Sequence, residues 1–316
     1  MMRRAIALAR RGLGRVEPNP PVGCVIVRHG RIVAEGWHRR FGGPHAEIDA
    51  LRRCPAQAAR GATVYVSLEP CAHFGKTPPC ADALIAAGAA RVVAAMRDPH
   101  PHVAGKGFRR LRQAGIRVET GVLRDEAAEL LAPYLTRLHL ARPYVIAKWA
   151  QSLDGKLAAA GGDSKWISNE RSRREVHRLR ARVDVILVGA ETLRRDDPLL
   201  TARDVPLRRR AARVVLDGRL RVPLRCRLVD TARDVSTWVF TSAGAARTPK
   251  ADRLRAKGVN VAAMRSRNGR LDLRAVLTEL ARREVTNLLV EGGADVLTGF
   301  LGERLVDEAW VFTAPI

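Results

Sequence analysis

The amino-acid sequence predicts an α/β protein with two domains, and three observations support this fold class. The chain has 316 residues, about twice the length of one ordinary domain. Hydrophobic residues make up 47% of it and charged residues 28%, which is enough apolar material to bury a core. Short apolar runs typical of strands alternate with helical segments, as they do in a sheet covered by helices.

The first half of the chain alternates strand and helix patterns after an opening amphipathic helix. That helix ends at Gly12 or Gly14, and a proline-rich loop over residues 18–21 precedes the first buried strand. Gly88 and Gly115 follow two later helices, where a glycine commonly ends a helix. The predicted helices cover residues 3–14, 45–53, 81–87, 106–114 and 124–141, and the predicted strands cover residues 22–27, 32–36, 63–68, 91–95 and 116–119.

A new strand follows Arg142-Pro143, so we place the domain boundary near residue 142, between domains 1–142 and 143–316. The second half repeats the α/β alternation. The chain stops directly after a predicted strand, and we therefore expect the second domain to be incomplete at its C-terminal end. The predicted strands cover residues 144–149, 183–188, 213–216, 238–241, 259–263, 287–290 and 308–312, and the predicted helices lie near 169–181, 250–257, 272–283 and 294–302.

The net charge of +24 arises from 56 Lys and Arg against 32 Asp and Glu. A basic balance usually indicates an anionic partner such as nucleic acid. Here the arginines are scattered and aromatic residues make up only 4%, too few for an obvious surface on which bases stack. We therefore expect a phosphorylated small substrate and no nucleic acid, while a basic zinc protein that binds RNA stays open as an alternative.

The sequence predicts a cytoplasmic protein with no membrane partner. No apolar run approaches the ~20 residues that span a bilayer, and charges interrupt residues 1–10 too early for a signal peptide. The five cysteines are an odd number in a long chain, so we expect reduced thiols rather than a disulfide framework.

The strongest motif is His45-Ala46-Glu47, followed by Cys71 after a proline and later by Cys80. One imidazole and two thiolates suit zinc, and three protein ligands leave the fourth position open for a water whose pKa the metal lowers. Glu47, close to the metal but not bound to it, is placed to move a proton from that water to a leaving amine. This pattern is typical of zinc deaminases.

The spacing of the two cysteines departs from the usual zinc deaminase pattern. Eight residues separate Cys71 from Cys80, where the common pattern has about two. The inserted loop includes His73, Lys76 and Thr77, which would lie beside the pocket and contact a polar or phosphorylated substrate. Two other interpretations stay open at this point. The residues could be separate core residues, or they could form a structural zinc site, which normally has a fourth Cys or His ligand.

The first half resembles the deaminase half of the RibD family of bifunctional riboflavin biosynthesis proteins. The resemblance implies a cytidine-deaminase-like α/β/α sandwich in which Glu47 is catalytic and zinc is bound by His45, Cys71 and Cys80. The long spacer with its Gly-x-Thr-Pro-Pro sequence separates the family from cytidine and tRNA adenosine deaminases. The segments that carry the resemblance are residues 18–24, 45–47, 69–84, 97–99 and 103–107.

Glycine turns follow two predicted strands of the second half, at Gly189 and at Gly292-Gly293. Such turns let backbone N–H groups approach a phosphate at a helix N-terminus, although tight turns between strands and helices also use glycine. From the residues alone, a cofactor site and a simple turn both remain possible.

The second half resembles the reductase half of the same family, which is similar in fold to dihydrofolate reductase and uses NADPH. The matching segments are residues 152–155, 164–167, 177–180, 196–201 and 290–293, and the matching single residues are Lys148, Gly189, Thr192 and Arg203. The positions matching NADPH contacts are Ala150, Trp166, Thr192, Asp196, Gly293, Ala294, Asp295, Val296, Leu297, Thr298 and Gly299. The positions matching substrate contacts are Ser164, Arg180, Leu200, Arg203 and Glu291.

Arginine suits a ribose phosphate because its guanidinium binds phosphate oxygens in pairs. For Arg180 and Arg203, a solvated surface role stays open in a chain with so many arginines, and Trp166 could equally be a core residue. Two residues depart from the family pattern, namely Gln151 and Gly218. The first stands where a small residue is common. The second stands where a serine is common, and this second departure alone puts a cofactor contact in doubt.

The resemblance implies a bifunctional enzyme. Its first domain would deaminate 2,5-diamino-6-ribosylamino-4(3H)-pyrimidinone 5′-phosphate with Zn²⁺, and its second would reduce the ribosyl group to ribityl with NADPH, where Lys148 and Asp154 could assist protonation. The alternative is a deaminase only, with a defective reductase domain. We also expect a homo-oligomer.

Overall fold

The structure is a computed structural model that describes residues 1–73, 78–157, 169–267 and 269–315. The chain separates into two compact units, Met1–Leu140 and Ala141–Ile316. No helix within the described ranges has the length and apolar character that a bilayer crossing requires.

The first unit is built on a five-stranded sheet. Its strands are β1 (Gly23–Arg28), β2 (Arg31–Trp37), β3 (Thr63–Val66), β4 (Arg91–Ala94) and β5 (Arg117–Thr120), and its helices are α1 (Met2–Ala9), α2 (Ala46–Arg53), α3 (Cys80–Ala86), α4 (Lys106–Gln113), α5 (Arg124–Leu130) and α6 (Ala132–Leu140). The strand order is β2-β1-β3-β4-β5. β1 pairs antiparallel with β2 and β3, and the remaining pairs are parallel.

Alternate residues of β1 face two different cores, because successive side chains of a strand point to opposite faces. Cys24 and Ile26 pack with residues of α2, α3 and α4, whereas Val25 and Val27 pack with residues of α1 and α5. Helices therefore cover both faces of the sheet, which confirms the predicted α/β/α sandwich.

The second unit is built on a seven-stranded sheet with a separate short hairpin. Its strands are β6 (Tyr144–Ser152), β7 (Val185–Gly189), β8 (Ala212–Leu216), β9 (Thr237–Ser242), β10 (Asn260–Met264), β11 (Ser266–Arg267), β12 (Arg270–Leu271), β13 (Asn287–Val290) and β14 (Glu308–Ala314). Its helices are α7 (Glu170–Arg180), α8 (Ala190–Asp196), α9 (Arg227–Asp230), α10 (Pro249–Ala256), α11 (Leu273–Arg282) and α12 (Ala294–Gly302).

The large sheet of the second unit has the order β10-β9-β8-β7-β13-β6-β14, and its strand pairs are parallel. Ile186 and Val188 of β7 face one core, and Val185 and Leu187 face the other. Parallel strands place their carboxyl ends, and the loops that follow them, at one edge of the sheet. This arrangement brings the ends of the neighbouring strands β7 and β13 together.

Arg213 in β8 is fully buried, with 0% of its surface exposed. Its guanidinium donates to the hydroxyls of Thr231 and Thr237 and to the carbonyls of Leu199 and Val235, among others. Burial lowers the pKa of Arg213 to about 10. The charge is satisfied by dipoles, and these bonds tie β8 to the loop after α8, to α9 and to the segment that follows α9.

Most predicted elements form with small shifts at their ends. The sequence analysis missed α9 and the β11–β12 hairpin, and it recognised only the start of α8. α9 has four residues and each hairpin strand has two, which is too short for a hydrophobic period to show.

Candidate active sites

His45, Cys71 and Cys80 come together in the first unit. Their potential ligand atoms lie within 4.8 Å of one another. His45 Nδ1 is 3.6 Å from Cys71 Sγ and 3.3 Å from Cys80 Sγ. Tetrahedral zinc bonds of about 2.0–2.3 Å place neighbouring N and S ligands roughly 3.6 Å apart. The three donors therefore fit a zinc ion.

Two helix starts hold these ligands. His45 immediately precedes α2, and Cys80 is the first residue of α3. α2 lies directly against β2, since a Cβ on Gly36 would come within 2.3 Å of the Ala50 backbone nitrogen. Only a glycine at position 36 allows α2 to come this close to β2, and this contact fixes the distance of α2 and His45 from the sheet. The backbone N–H of Cys80 donates to Cys71 Sγ over 3.3 Å.

The two thiols of the cluster have opposite pKa shifts. Their mutual hydrogen bond lowers the pKa of Cys71, and the same bond, together with burial, raises the pKa of Cys80. The lowered pKa of Cys71 favours its thiolate, the form in which a cysteine binds a metal.

Glu47 lies beside the cluster and is 3% exposed. Burial raises its pKa to about 7. Glu47, His45 and Cys71 line a cavity of about 350 Å³, a volume in the range of small-molecule sites. The carboxylate has the position expected of a proton carrier that is not itself a ligand.

Asn19 and His38 also line this cavity, and sequence analysis did not name them as site residues. His38 Nδ1 lies 2.9 Å from the carbonyl oxygen of Pro44. Because that oxygen can only accept, Nδ1 carries the proton and Nε2 of the neutral ring accepts from Asn19 Nδ2 at 3.3 Å. Burial lowers the pKa of His38 and favours this neutral form. The Asn19 carbonyl oxygen thus remains available as an acceptor.

Glu69, next to Pro70-Cys71, is a buried carboxylate with a structural task. It is 4% exposed, and it accepts backbone N–H bonds of 2.9 to 3.3 Å from Asp98, Gly105, Gly107 and Phe108. Both oxygens are used, so the segment between β4 and α4 is fixed beside the end of β3. This network holds the chain just before Cys71 against the segment that leads into α4.

α6 supplies a further part of the cavity wall. Tyr134 and Arg137 of this helix line the cavity together with Asp98 and His100. The Tyr134 hydroxyl donates to Asp98 Oδ1 over 2.9 Å, and the same oxygen accepts from the His100 backbone N–H over 2.9 Å. A sequence search for local motifs does not find these partners, because α6 lies more than thirty residues after Asp98 in the chain.

In the second unit, the turns after β7 and β13 meet as expected of neighbouring parallel strands. The Gly293 backbone N–H donates to Thr192 Oγ1 over 3.0 Å. A Cβ on Gly292 would come within 2.5 Å of Val296, so the turn into α12 is tight. α12 begins at Ala294 without a side-chain cap. Its first backbone N–H groups are therefore available to a phosphate, which fits a dinucleotide cofactor.

A charged cluster lies near these turns. Arg180 and Glu291 form a pair with two hydrogen bonds of 2.7 and 2.6 Å, and their side chains are only 15% and 9% exposed. Burial lowers the pKa of Lys148, while the charge of Glu291 opposes that shift. Burial alone would raise the pKa of Glu291, but Arg180, Lys148 and His177 outweigh it and lower the pKa. The cluster holds two cations around one carboxylate.

The remaining predicted residues of the second unit have different surroundings. Leu200 is 3% exposed and packs in the core, and the Arg203 backbone N–H donates to His177 Nδ1 over 3.3 Å. Asp196 is exposed at the last position of α8, and Ala150 lies in β6. The cofactor positions from Ala294 to Gly299 form the first turns of α12, where Leu297 faces the core. Ser164 and Trp166 lie outside the described residues, as do Lys76 and Thr77.

The structure gives reasons for the two departures from the family pattern and separates Asp154 from Lys148. A Cβ on Gly218 would come within 2.2 Å of the Gly269 carbonyl oxygen, so the hairpin backbone occupies the place of a side chain. Gln151 accepts a 2.8 Å bond from the indole of Trp149. Asp154 lies in an exposed turn and forms an ion pair with Lys156.

Comparison with known proteins agrees with both units. The cytidine and deoxycytidylate deaminase zinc-binding region matches residues 1–96, and the RibD C-terminal domain matches residues 143–316. The riboflavin biosynthesis protein RibD of Aquifex aeolicus is 45% identical over 99% of this chain and 86% of its own length. That of Escherichia coli is 43% identical over 99% of this chain and 86% of its length.

A solved structure from Thermotoga maritima is also similar. It is described as a diaminohydroxyphosphoribosylaminopyrimidine deaminase/5-amino-6-(5-phosphoribosylamino)uracil reductase. It is 41% identical, covers 99% of this chain and 85% of its own, and superposes with a TM-score of 0.87. The RibD structure from Acinetobacter baumannii superposes with a TM-score of 0.87 at 39% identity, covering 100% of this chain and 86% of its own.

The fold and the two sites define an enzyme with a zinc-binding deaminase domain and a reductase domain that uses a nicotinamide cofactor. The relatives identify it more closely. The chain belongs to the RibD family of bifunctional riboflavin biosynthesis proteins. The bifunctional interpretation is confirmed over the alternative of a deaminase alone.

Proposed function

We propose that the first unit deaminates 2,5-diamino-6-ribosylamino-4(3H)-pyrimidinone 5′-phosphate with zinc, and that the second unit reduces the ribosyl group of the product to ribityl with NADPH. The observation that carries the deaminase assignment is the meeting of His45, Cys71 and Cys80 with the buried Glu47 at one cavity. The names of the Thermotoga relative's activities support the same two reactions.

In the deaminase cavity, each residue has a distinct task. Zinc, when bound by His45, Cys71 and Cys80, supplies a water that is activated by a lowered pKa. The Glu47 carboxylate takes one proton from the attacking water and delivers it to the ring nitrogen. It then carries the second proton of that water, from the hydroxyl of the adduct, to the amine, which leaves as ammonia. Asn19, oriented by His38, presents an acceptor oxygen to a donor on the pyrimidine.

In the reductase, the first turn of α12 would hold cofactor phosphate with its backbone N–H groups, and Thr192 fixes the preceding turn. NADPH, when bound, supplies the hydride. The pair of Arg180 and Glu291 lies beside Lys148. The ammonium group of Lys148 would bind or protonate an oxygen of the opened ribose.

The test is to incubate the zinc-loaded protein with the pyrimidinone phosphate, without cofactor, with NADPH and with NADH, and to identify the products by mass spectrometry. We expect deaminated product in every tube and a further gain of two hydrogens with NADPH. Deamination without reduction would contradict the reductase proposal, and no conversion by zinc-loaded protein would contradict the substrate assignment.

A further inference from the structure

Two side chains of α6 line the deaminase cavity. Tyr134 is held by its hydroxyl bond of 2.9 Å to Asp98, and Arg137 follows three residues later. Residues three apart lie on the same face of a helix. Both side chains line the cavity of about 350 Å³ that also contains His45 and Glu47. Arg137 therefore lies on the side of α6 that faces the cavity.

Of the described residues that line this cavity, Arg137 alone carries a permanent positive charge. It is half-buried, and it forms no ion pair or hydrogen bond with any residue that the structure describes. Among the residues that the structure describes, most other half-buried or buried arginines have such partners, for example Arg180 and Arg213. A half-buried arginine that lines a cavity and has no partner there points to an anionic ligand.

Apart from Glu47, the carboxylates that line the cavity are already engaged in hydrogen bonds. Glu69 accepts four backbone N–H bonds, and Asp98 accepts from Tyr134 and from the His100 backbone. Burial lowers the pKa of His100, which favours the neutral form of its ring. The charge available for an anion in this wall is that of Arg137.

We infer that Arg137 binds the phosphate group of the substrate in the deaminase cavity and so selects the phosphorylated pyrimidine over its nucleoside; this inference rests on the proposed function of that cavity. A guanidinium can bind two phosphate oxygens at once, which gives orientation as well as affinity. The phosphate then anchors the substrate on α6 while its pyrimidine reaches Glu47.

The test compares Arg137→Gln with the unchanged protein on the phosphorylated substrate and on its dephosphorylated form. We expect kcat/KM for the phosphorylated substrate to fall about 10- to 100-fold, the loss of one charge-assisted contact, mainly through KM. The dephosphorylated form should be deaminated equally by both proteins. Arg137→Lys, which keeps the charge but not the paired geometry, should give an intermediate loss.

Arg124→Gln serves as the matched control, since Arg124 is exposed at the start of α5 and does not line the cavity. Equal kinetics of Arg137→Gln and the unchanged protein on the phosphorylated substrate would overturn the inference, as would an equal loss on both substrates. If the unchanged protein deaminates neither compound, the proposed function fails. In that case, ³¹P NMR titration of the zinc-loaded proteins with inorganic phosphate tests whether Arg137 binds phosphate. Weaker binding by Arg137→Gln supports the inference, and equal binding overturns it.

Discussion

At the scale of single residues, the proposed deaminase mechanism separates metal binding from proton transfer. His45, Cys71 and Cys80 offer their donor atoms to one point, and Glu47 stands beside them without belonging to the ligand set. A substitution can therefore remove proton transfer without removing the metal, and another can remove the metal. These two effects are measured separately.

Glu47→Gln should keep zinc and lose deamination. The amide has nearly the same shape but cannot carry the proton, and loss of a positioned acid–base group costs about 10²- to 10⁴-fold in rate. Zinc content by atomic emission and kcat for the pyrimidinone phosphate check both halves of the prediction. Unchanged kcat in this variant would contradict the role of Glu47.

Cys71→Ser should bind zinc much more weakly than the unchanged protein, because a thiolate ligand is replaced by a hydroxyl that does not ionise near neutral pH. Cys54→Ser is the matched control, since Cys54 is a partly exposed free cysteine outside the cluster. The measurement is zinc per chain after dialysis. Equal zinc in the two variants would refute the ligand assignment.

Glu291 gives a pH dependence of stability whose sign follows from its pKa. Arg180 and its neighbours overcome the effect of burial and lower the pKa of Glu291 in the folded protein. Its contribution to stability is therefore complete above the unfolded-state pKa of about 4.3 and is lost as the pH falls through the lower folded pKa.

Urea unfolding of the unchanged protein and of Glu291→Gln between about pH 6 and pH 3 tests this prediction. We expect the stability difference between the two proteins to shrink as the pH falls. Glu303→Gln, at an exposed carboxylate, should follow the unchanged protein throughout. A difference that stays constant over this pH range would show that Glu291 gains nothing from its charge.

At the scale of secondary-structure elements, the zinc site depends on the ends of helices and strands. Gly36 lets α2 approach β2, and Glu69 fixes the segment before α4 beside Cys71. The sequence predicted α2, α3 and α4, the last two with a glycine at their ends, and the predicted ends lie within a few residues of those observed. It gave no signal for the four backbone bonds to Glu69, because a glutamate before a proline has no distinctive local pattern.

Glu69→Gln should loosen the segment between β4 and α4. The amide nitrogen would face backbone N–H donors and leave at least one of them unpaired, at a cost of about 1–3 kcal/mol. Hydrogen exchange at the Gly105, Gly107 and Phe108 amides should become faster by the corresponding factor. Glu119→Gln, at an exposed carboxylate of β5, should leave these rates unchanged, and equally slow exchange in Glu69→Gln would contradict the network.

At the scale of the whole molecule, two compact units with separate cores each carry one candidate site. The deaminase ligands all come from the first unit, and the cofactor turns and the Arg180–Glu291 pair come from the second. The predicted homo-oligomeric state stays a prediction.

Removal of zinc should therefore affect one activity and spare the other. After treatment with a chelator, deamination should be lost, whereas reduction of the supplied deaminated product with NADPH should continue at an unchanged rate, since none of the described reductase residues is a zinc ligand. The two assays on metal-free and zinc-restored protein check this. Loss of both activities on chelation would contradict the independence of the sites.

The sequence alone determined the class of each unit and the zinc constellation. Ligand type and order are local properties of the chain, and a hydrophobic period reports which face of a helix or strand is buried. The sequence also located the glycine turns after β7 and β13, but it did not show the hydrogen bond between Gly293 and Thr192.

Only the tertiary structure decided which distant residues complete the sites. Tyr134 and Arg137 of α6 line the deaminase cavity, and His38 orients Asn19 there. In the second unit, Arg180 pairs with Glu291, which lies 111 positions later in the chain. Such contacts depend on strand order and helix placement, and these follow from packing between segments far apart in the chain. The sequence shows which residues are present, but the distances between these side chains are set only when the chain folds around its cores.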